Sequence, residues 1–390
     1  MKLLHTSDWH LGHELYGVDR RDEFAAMLLN MRSVIAAHKP DCMIIAGDVF
    51  DTSMPAIDVQ TLLANALVDF HSLNPDMVII VTSGNHDSAN RHEIFRTPWR
   101  ALNVHAIGNI DSRNPAANIV EIPGKGYVAA VPFVNDRMLP DDYFRRLIDA
   151  VPDDNLPLVL TAHMAVIGAD FNGHKTTRTE TAEYVGNIRT ADITRLASGY
   201  DYLALGHIHR PQFIHGGGHH RVRYSGSPLA IGFDEAAAAH GVCIVTVDER
   251  GAEPQVETIE FAPLRRLVTL PDSNSFLKWD DMLELLIKYR PKGPELLRLN
   301  VLVDKPLPDN RRQLIADALA NTQAVCCTIN ARRPESAGNE TIRIRSVREF
   351  QNEDPLTIAS EYAKFAGTPM TDEMTDLFRQ ITRDLENETD

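Results

Sequence analysis

The chain has 390 residues, 44% of them hydrophobic and 24% charged, ordinary globular values that exclude wholesale disorder and allow two or three domains with at least one large core. No run of 18 apolar residues occurs, the first ten residues carry no apolar leader, and the four cysteines (Cys42, Cys243, Cys326, Cys327) lack CxxC spacing. A membrane span, a signal peptide, a zinc ribbon and a disulfide framework are therefore not expected, and a reduced cytoplasmic setting fits best.

In chain order, short apolar runs appear at Leu3–Leu4, Cys42–Ala46, Met77–Thr82, Val128–Val131, Leu158–Thr161, Tyr202–Leu205 and Cys243–Val247. Their length and Val/Ile content read as buried strands. Between the first two, Phe24, Met27, Leu28, Met31 and Ile35 recur at three- and four-residue steps, so residues 20–38 read as a helix with one apolar face, and residues 57–70 read similarly. Strand–helix alternation predicts a layered α/β domain with a sheet buried between helices. Hairpins are expected around Gly216-Gly217-Gly218.

Pro263 opens a change of character. Leu297–Val303, Arg311–Ala320 and Ala324–Ala331 read as strand, helix and strand, a small β-α-β unit, and Arg333 to Asn339 reads as a linker. Two short helices follow, the first opened by Asp354-Pro355 and closed by Gly367, the second capped by Thr371. The second carries an apolar stripe of Met374, Leu377, Phe378, Ile381 and Leu385. The expected domains are 1–262, a small α/β cap at 263–348, and the C-terminal helices at 349–390.

The net charge of −15 argues at first against nucleic acid as a partner. Its distribution is polarised: residues 262–348 hold 15 Lys/Arg against 10 Asp/Glu, and residues 349–390 hold 3 against 11. The cap's Arg265, Arg266, Arg311, Arg312, Arg332 and Arg333, with Arg343 and Arg345, are candidate phosphate contacts, of the kind that position a duplex without reading its sequence. A solvated face is the plainer reading of the same excess.

Nearly every strand expected in the first half ends in metal-binding side chains: Asp8-Trp9-His10, Gly47-Asp48-Val49-Phe50-Asp51, Gly84-Asn85-His86-Asp87, His163, and Gly206-His207-Ile208-His209. The carboxyl ends of strands are where an α/β sheet presents its crevice. Five such clusters in one chain point to a metal centre, and mixed His, Asp and amide ligands suit Mn²⁺, Fe²⁺ or Zn²⁺ better than Ca²⁺. Two ions about 3.5–4 Å apart need a bridging carboxylate. The glycines before Asp48, Asn85 and His207 permit tight turns there.

These five clusters resemble the five motifs of the calcineurin-like metallophosphoesterases. The opening His5-Thr-Ser-Asp8-Trp-His10-Leu-Gly12, with Tyr224-Ser-Gly-Ser-Pro228 and Gly232-Phe233-Asp234-Glu235, further resembles the nuclease subunits of SbcCD-type double-strand-break repair complexes, over about residues 1–235. The resemblance implies a metallophosphoesterase β-sandwich flanked by helices. It implies that Asp8, His10 and His209 bind one ion, that Asn85, His163 and His207 bind the other, and that Asp48 bridges them. It also implies that His86 faces the scissile phosphate as a proton donor, with Asp51 orienting it. The implied activity is Mn²⁺-dependent phosphodiester hydrolysis on two metals, with Mg²⁺, Fe²⁺ or Zn²⁺ as other ions. It would act as a double-strand 3′–5′ exonuclease and a single-strand or hairpin endonuclease. The implied partners are DNA ends and hairpins, a coiled-coil ATPase of the SbcC type docked by the last helix, and a second copy in a homodimer within a heterotetramer. The dimer contact is expected near residues 57–70 and 91–102. The implied setting is cytoplasmic and nucleoid-associated, with no membrane.

Thr52-Ser53 and Asp87 depart from the protein-phosphatase branch, which has Arg-Gly and Glu there, so phosphoprotein hydrolysis loses ground. A small-molecule phosphodiesterase or phosphatase with the same core, and a DNA-end tether with a structural metal site, remain as alternatives. His5, His38, His71, His105 and His240 are read as satisfied structural histidines, His215, His219 and His220 as solvated, and His13 stays unassigned. Trp9 is expected to pack in the core and Asp87 to tie its loop together.

Overall fold

All seven apolar runs are strands in the computed structural model of the chain, which describes residues 1–135, 138–170, 184–185, 188–189, 196, 198–214, 221–334, 354–365 and 370–387. In chain order the first elements are β1 (Lys2–Thr6), α1 (Arg21–His38), β2 (Cys42–Ala46), α2 (Ile57–Leu73), β3 (Val78–Thr82), α3 (Ala89–Phe95) and β4 (Val104–Ile107). Next come β5 (Ile119–Ile122), β6 (Gly126–Val131), α4 (Tyr143–Asp149), β7 (Leu158–His163), and a two-stranded hairpin of β8 (Tyr184–Val185) and β9 (Ile188–Arg189). Then β10 (Tyr202–Gly206), β11 (Gln212–Phe213), β12 (Val222–Tyr224), β13 (Gly241–Thr246) and β14 (Gln255–Glu260) complete the first half.

The layering is the helix-flanked β-sandwich that the family resemblance implies, not the single sheet that strand–helix alternation alone predicts. There are two six-stranded sheets, in the orders β14-β13-β1-β2-β3-β4 and β11-β12-β10-β7-β6-β5, packed face to face. Strands covered on both faces read as continuous apolar runs whether the cover is a helix or another sheet, so periodicity alone could not separate the two arrangements. Leu3, Ile44, Val78, Ile80 and Val245 of one sheet meet Val128, Val159 and Ala204 of the other in a shared core. The alternate residues Leu4, Met43, Ile45 and Ile79 face outward under α1 and α2, and Leu160 and Leu203 pack with Tyr143 and Leu147 of α4. The predicted stripe of α1 is buried: Phe24, Met27, Leu28, Met31 and Ile35 all lie in the outer core. The expected hairpin glycines 216–218, and His215, His219 and His220, lie outside the described residues; β11 and β12 flank them as antiparallel partners.

His5 joins the two sheets. Its Nε2 lies 3.2 Å from the Leu205 carbonyl and its Nδ1 3.0 Å from the Tyr202 hydroxyl. A carbonyl only accepts, so Nε2 carries the proton and Nδ1 accepts from the tyrosine. Burial, with the charge of Arg223 adding to it, pushes the pKa of His5 down to about 3.

The cap sheet is fuller than the predicted β-α-β unit. Its strands β15 (Arg266–Leu270), β16 (Leu277–Lys278) and β18 (Ala324–Arg332) all pair in parallel with β17 (Glu295–Leu302). Helices α5 (Trp279–Lys288) and α6 (Arg311–Leu319) cover it through Met282, Leu286, Leu299, Val301 and Ile315. By contact the chain divides into two units, Met1–Arg332 and Arg333–Asp390, so the expected boundary at Pro263 falls within the first unit. Most of the expected linker, residues 335–339, and its neighbours Arg343 and Arg345 lie outside the described residues. In the second unit the Asp354 carboxylate accepts from the Thr357 amide at 3.2 Å, and the Thr371 hydroxyl accepts from the Met374 amide at 3.2 Å. Both expected caps thus open their helices, Pro355–Phe365 and Asp372–Asn387.

Because His5 binds its proton far less readily folded than unfolded, its contribution to stability is present above about pH 6.5 and is lost as pH falls toward 3. Urea unfolding should show stability dropping by up to about 1.4 kcal/mol per pH unit from this residue in that window, and His5→Leu should flatten the slope. An unchanged slope in the variant would contradict the buried neutral assignment.

Candidate metal centre

The loops that follow β1, β2, β3, β7 and β10 converge on one crevice, so both sheets contribute. Asp8 and His10 follow β1, Asp48 follows β2, Asn85 and His86 follow β3, His163 ends β7, and His207 and His209 follow β10. The loop after β1 is zipped to the loop after β2 by Asp8 N to Gly47 O (3.0 Å), His10 N to Asp48 O (3.0 Å) and Leu11 N to Val49 O (2.9 Å). Asp8, His10, Asp48 and His207 all hold positive φ, a conformation that costs a non-glycine residue of order 1–3 kcal/mol and clusters at functional sites. Asp87 restrains the turn between them, accepting from the amides of Gly84 (2.9 Å), Val49 (3.1 Å) and Phe50 (3.0 Å). It ties its loops as expected. Gly47 adopts φ +84°, and a Cβ there would lie 2.2 Å from His163 Nδ1; a Cβ on Gly84 would lie 2.1 Å from Asp48 Oδ1. The second glycine is thus required for room rather than for a left-handed backbone.

The donor atoms face one another. The ligand atoms of Asp8, His10 and His209, of Asp8, Asp48 and His163, and of His10, Asp48 and His86 each lie within 4.8 Å of one another. Asp48 belongs to two of these groups and is 2% exposed; its Oδ2 is 3.3 Å from His163 Nε2 and 3.7 Å from His10 Nε2. His163 Nδ1 donates to the Ala46 carbonyl at 2.8 Å, which turns its Nε2 onto Asn85 Oδ1 at 3.0 Å, and His207 Nδ1 lies 3.1 Å from the same amide oxygen. His10 Nε2 and His209 Nε2 are 3.1 Å apart. Such pairs of acceptors need either protons or a cation between them. This donor set, carboxylate, imidazole and amide oxygen without thiolate, fits a divalent cation such as Mn²⁺, Fe²⁺ or Zn²⁺.

Electrostatics point the same way. Burial lowers the pKa of His163, but the charge and hydrogen bond of Asp48 outweigh it and raise the value to about 9. Burial likewise opposes Asp48 ionisation, yet His163, His10 and His86 hold its carboxyl well below the usual range. His209 is raised to about 9, its burial overcome by Glu235, which is itself lowered to about 2 against its own burial by the charge of His209.

Glu235 is the residue that sequence reasoning left without a role. Its Oε1 accepts from His209 Nδ1 at 2.8 Å and its Oε2 from the Ile231 amide at 2.8 Å. A carboxylate on the far nitrogen of a ligating histidine fixes its ring and tautomer; the only signal was the Gly232-Phe-Asp-Glu run. Asp51 also differs from expectation. His86 Nδ1 is held at 3.0 Å by the main-chain carbonyl of Asp51, while the Asp51 carboxylate lies 3.3 Å from His10 Nδ1. His86 is exposed, and its amide donates to Asp48 Oδ1 at 2.8 Å. Trp9 is fully buried, its Nε1 donating to Thr6 Oγ1 at 2.9 Å.

The candidate DNA-contacting arginines are dispersed over the cap. Arg265 is committed to the buried Glu23, donating to both carboxylate oxygens at 2.7 and 2.6 Å, so it joins cap to sandwich rather than standing free. Arg266 is half exposed, 3.5 Å from Glu295. Arg311 and Arg312 line a groove beside β18, Arg332 lies over the Phe276 ring at 5.8 Å, and Arg333 is exposed.

Comparison with known proteins places the chain in a family. The calcineurin-like phosphoesterase family matches residues 1–211. The SbcD chain of the SbcCD nuclease from Rhodobacter capsulatus is 31% identical, the match covering 86% of this chain and 89% of that one. Its counterpart from Escherichia coli K12 is 28% identical over 81% and 82%, and that from Bacillus subtilis 27% over 100% and 99%. Among the described residues no helix is long and apolar enough to cross a membrane.

Because His163 and His209 hold protons up to about pH 9 without a cation, a metal must displace protons to bind. Apparent affinity should therefore rise with pH up to about 9 and level off above it. Calorimetric titration in two buffers of different ionisation enthalpy should record the released protons; identical heats in both would contradict the assignment.

Proposed function

The chain belongs to the calcineurin-like phosphoesterase family and, within it, to the SbcD nuclease subunits; from that premise we propose that it is the metal-dependent nuclease subunit of an SbcCD-type complex. The observation that carries this reading is the convergence of Asp48 and six further donor side chains from both sheets, with the exposed His86 beside them. Asp8, His10 and His209 would hold one divalent ion, Asn85, His163 and His207 the other, and Asp48 both. Mn²⁺ is the ion this donor set suits, with Mg²⁺, Fe²⁺ or Zn²⁺ as substitutes.

When bound, the ions supply Lewis-acid charge at the phosphodiester and a nucleophile at neutral pH. The protein supplies the rest. His209 and His163 are locked in orientation by Glu235 and by the Ala46 carbonyl, so little reorganisation accompanies the reaction. His86 keeps one proton on Nδ1 toward the Asp51 carbonyl, which leaves Nε2 to carry the exchangeable proton to the leaving 3′-oxygen. Asp51 then serves twice, through its carbonyl for His86 and through its carboxylate for His10.

The reading extends to duplex-end exonuclease and hairpin or single-strand endonuclease action, with the cap, residues 263–348, contributing phosphate contacts. Arg266, Arg311, Arg312, Arg332 and Arg333 remain in that role. The C-terminal region, 349–390, would dock on a coiled-coil ATPase partner of the SbcC type: Met374, Leu377 and Ile381 stand 50–58% exposed on one helix, a face suited to a hydrophobic groove. A second copy would pair through residues 57–70 and 91–102, where Ile57 and Ile94 are exposed.

Cleavage of end-labelled duplex DNA in Mn²⁺ tests the function. His86→Gln should keep metal binding and lose cleavage by at least about 100-fold, the usual contribution of a positioned acid. Asp48→Ala should lose two-metal occupancy together with activity. Wild-type protein that cleaves a small phosphodiester but no DNA, even with the ATPase and ATP added, would overturn the nuclease reading.

A further inference from the structure

Among the described residues, two ionic contacts join the cap to the sandwich. The first is the Arg265–Glu23 pair, where Arg265 also donates to the Asp19 carbonyl at 2.6 Å. The second is Arg298, in the central cap strand β17. Its Nη1 donates to Asp234 Oδ1 at 2.9 Å, its Nε donates to Thr269 Oγ1 at 3.2 Å, and its guanidinium lies 5.3 Å from the centre of the Phe233 ring. Only 11% of the Arg298 side chain is exposed, against 56% for Asp234.

Two of the three partners of Arg298, Phe233 and Asp234, belong to a single 3-10 turn, Phe233–Glu235, whose third residue is the glutamate that holds His209. Phe233 is buried in a small cluster with Leu15 and Leu296, joined by Leu267 and Cys327; Leu267, Leu296 and Cys327 are cap residues. The turn is thus gripped on one side by the cap and on the other by the His209 imidazole. The turn is closed by i→i+3 backbone bonds from the Glu235 amide to the Gly232 carbonyl at 3.1 Å and from the Ala236 amide to the Phe233 carbonyl at 3.4 Å, which couple its three residues. A displacement of Phe233 or Asp234 therefore displaces Glu235, and the direction in which His209 offers Nε2 is set by the hydrogen bond Glu235 makes to its Nδ1. The other half of the site is held differently. His163 is held by Ala46 and faces Asn85, which His207 also faces.

We propose that Arg298 is a positioning residue through which the seating of the cap on the turn Phe233–Glu235 orients His209 and thereby sets the affinity of one of the two metal ions. The inference rests on the two-metal reading above. It makes the metal centre sensitive to where the cap lies, although no cap residue is itself a ligand.

The test is calorimetric titration of the full chain with Mn²⁺, with circular dichroism melting as the check of folding. Wild type should bind two ions. Asp234→Asn and Arg298→Gln should each weaken one ion by about 2- to 30-fold, the range of energetic coupling through an intermediate residue, and leave the other unchanged. The double variant should be no weaker than the more affected single, since both break the same link, and Arg298→Lys, which keeps the cation, should recover part of the loss. A merely structural contact would lower the melting temperature and weaken neither ion, or both equally; either result in folded variants overturns the inference alone. Wild type that binds no Mn²⁺ would overturn it together with the proposed function.

Discussion

Two carboxylates buried between the sheets, Asp8 and Asp48, impose the constraint on which the rest of the molecule depends. A buried carboxylate is tolerated only when positive charge or hydrogen-bond donors surround it. Here the His163 and His10 imidazoles close on Asp48, and the His207 backbone amide donates to both oxygens of Asp8 at 3.0 and 3.1 Å. Those donors reach the carboxylates only because the loops after five strands of two sheets turn inward, four of the site residues at positive φ. The sandwich core secures that backbone. Protons raised in affinity on the histidines and a divalent cation are two solutions to one electrostatic problem, and the second is the one that does chemistry.

Much of this was legible in sequence because the ligands sit beside the strands that carry them. An apolar run followed at once by Asp, His or Asn needs no long-range information, and all seven runs are strands. Residues whose partners are distant in sequence were not legible. Glu235 acts across 26 residues to reach His209, and Arg265 finds Glu23 across 242; read locally, Arg265-Arg266 resembled a phosphate-binding pair. Asp51 meets His86 through its carbonyl rather than its carboxylate, a distinction sequence spacing cannot make because both groups sit on the same residue. The cap was read short, since β15 and β16 have few residues fully buried and their strand character comes from pairing with β17 rather than from their own pattern.

The cap and the sandwich are joined by contacts that serve more than cohesion. Arg265 secures the entry to the cap on the first turn of α1, and Arg298 secures its central strand on the turn that carries Glu235. Both guanidiniums sit in partly buried pairs, where planar bidentate or stacked geometry favours arginine over lysine. An overall charge of −15 is compatible with a nucleic-acid substrate when carboxylates are spent in pairs of this kind.

The most direct test of the account is crystallography of the Mn²⁺-soaked chain with anomalous data at the manganese edge. The account predicts two anomalous peaks, about 3.5–4 Å apart as in two-metal phosphoesterase centres, with the Asp48 carboxylate between them, His209 on one and His163 on the other. A single peak, or two peaks that do not share Asp48, would contradict it.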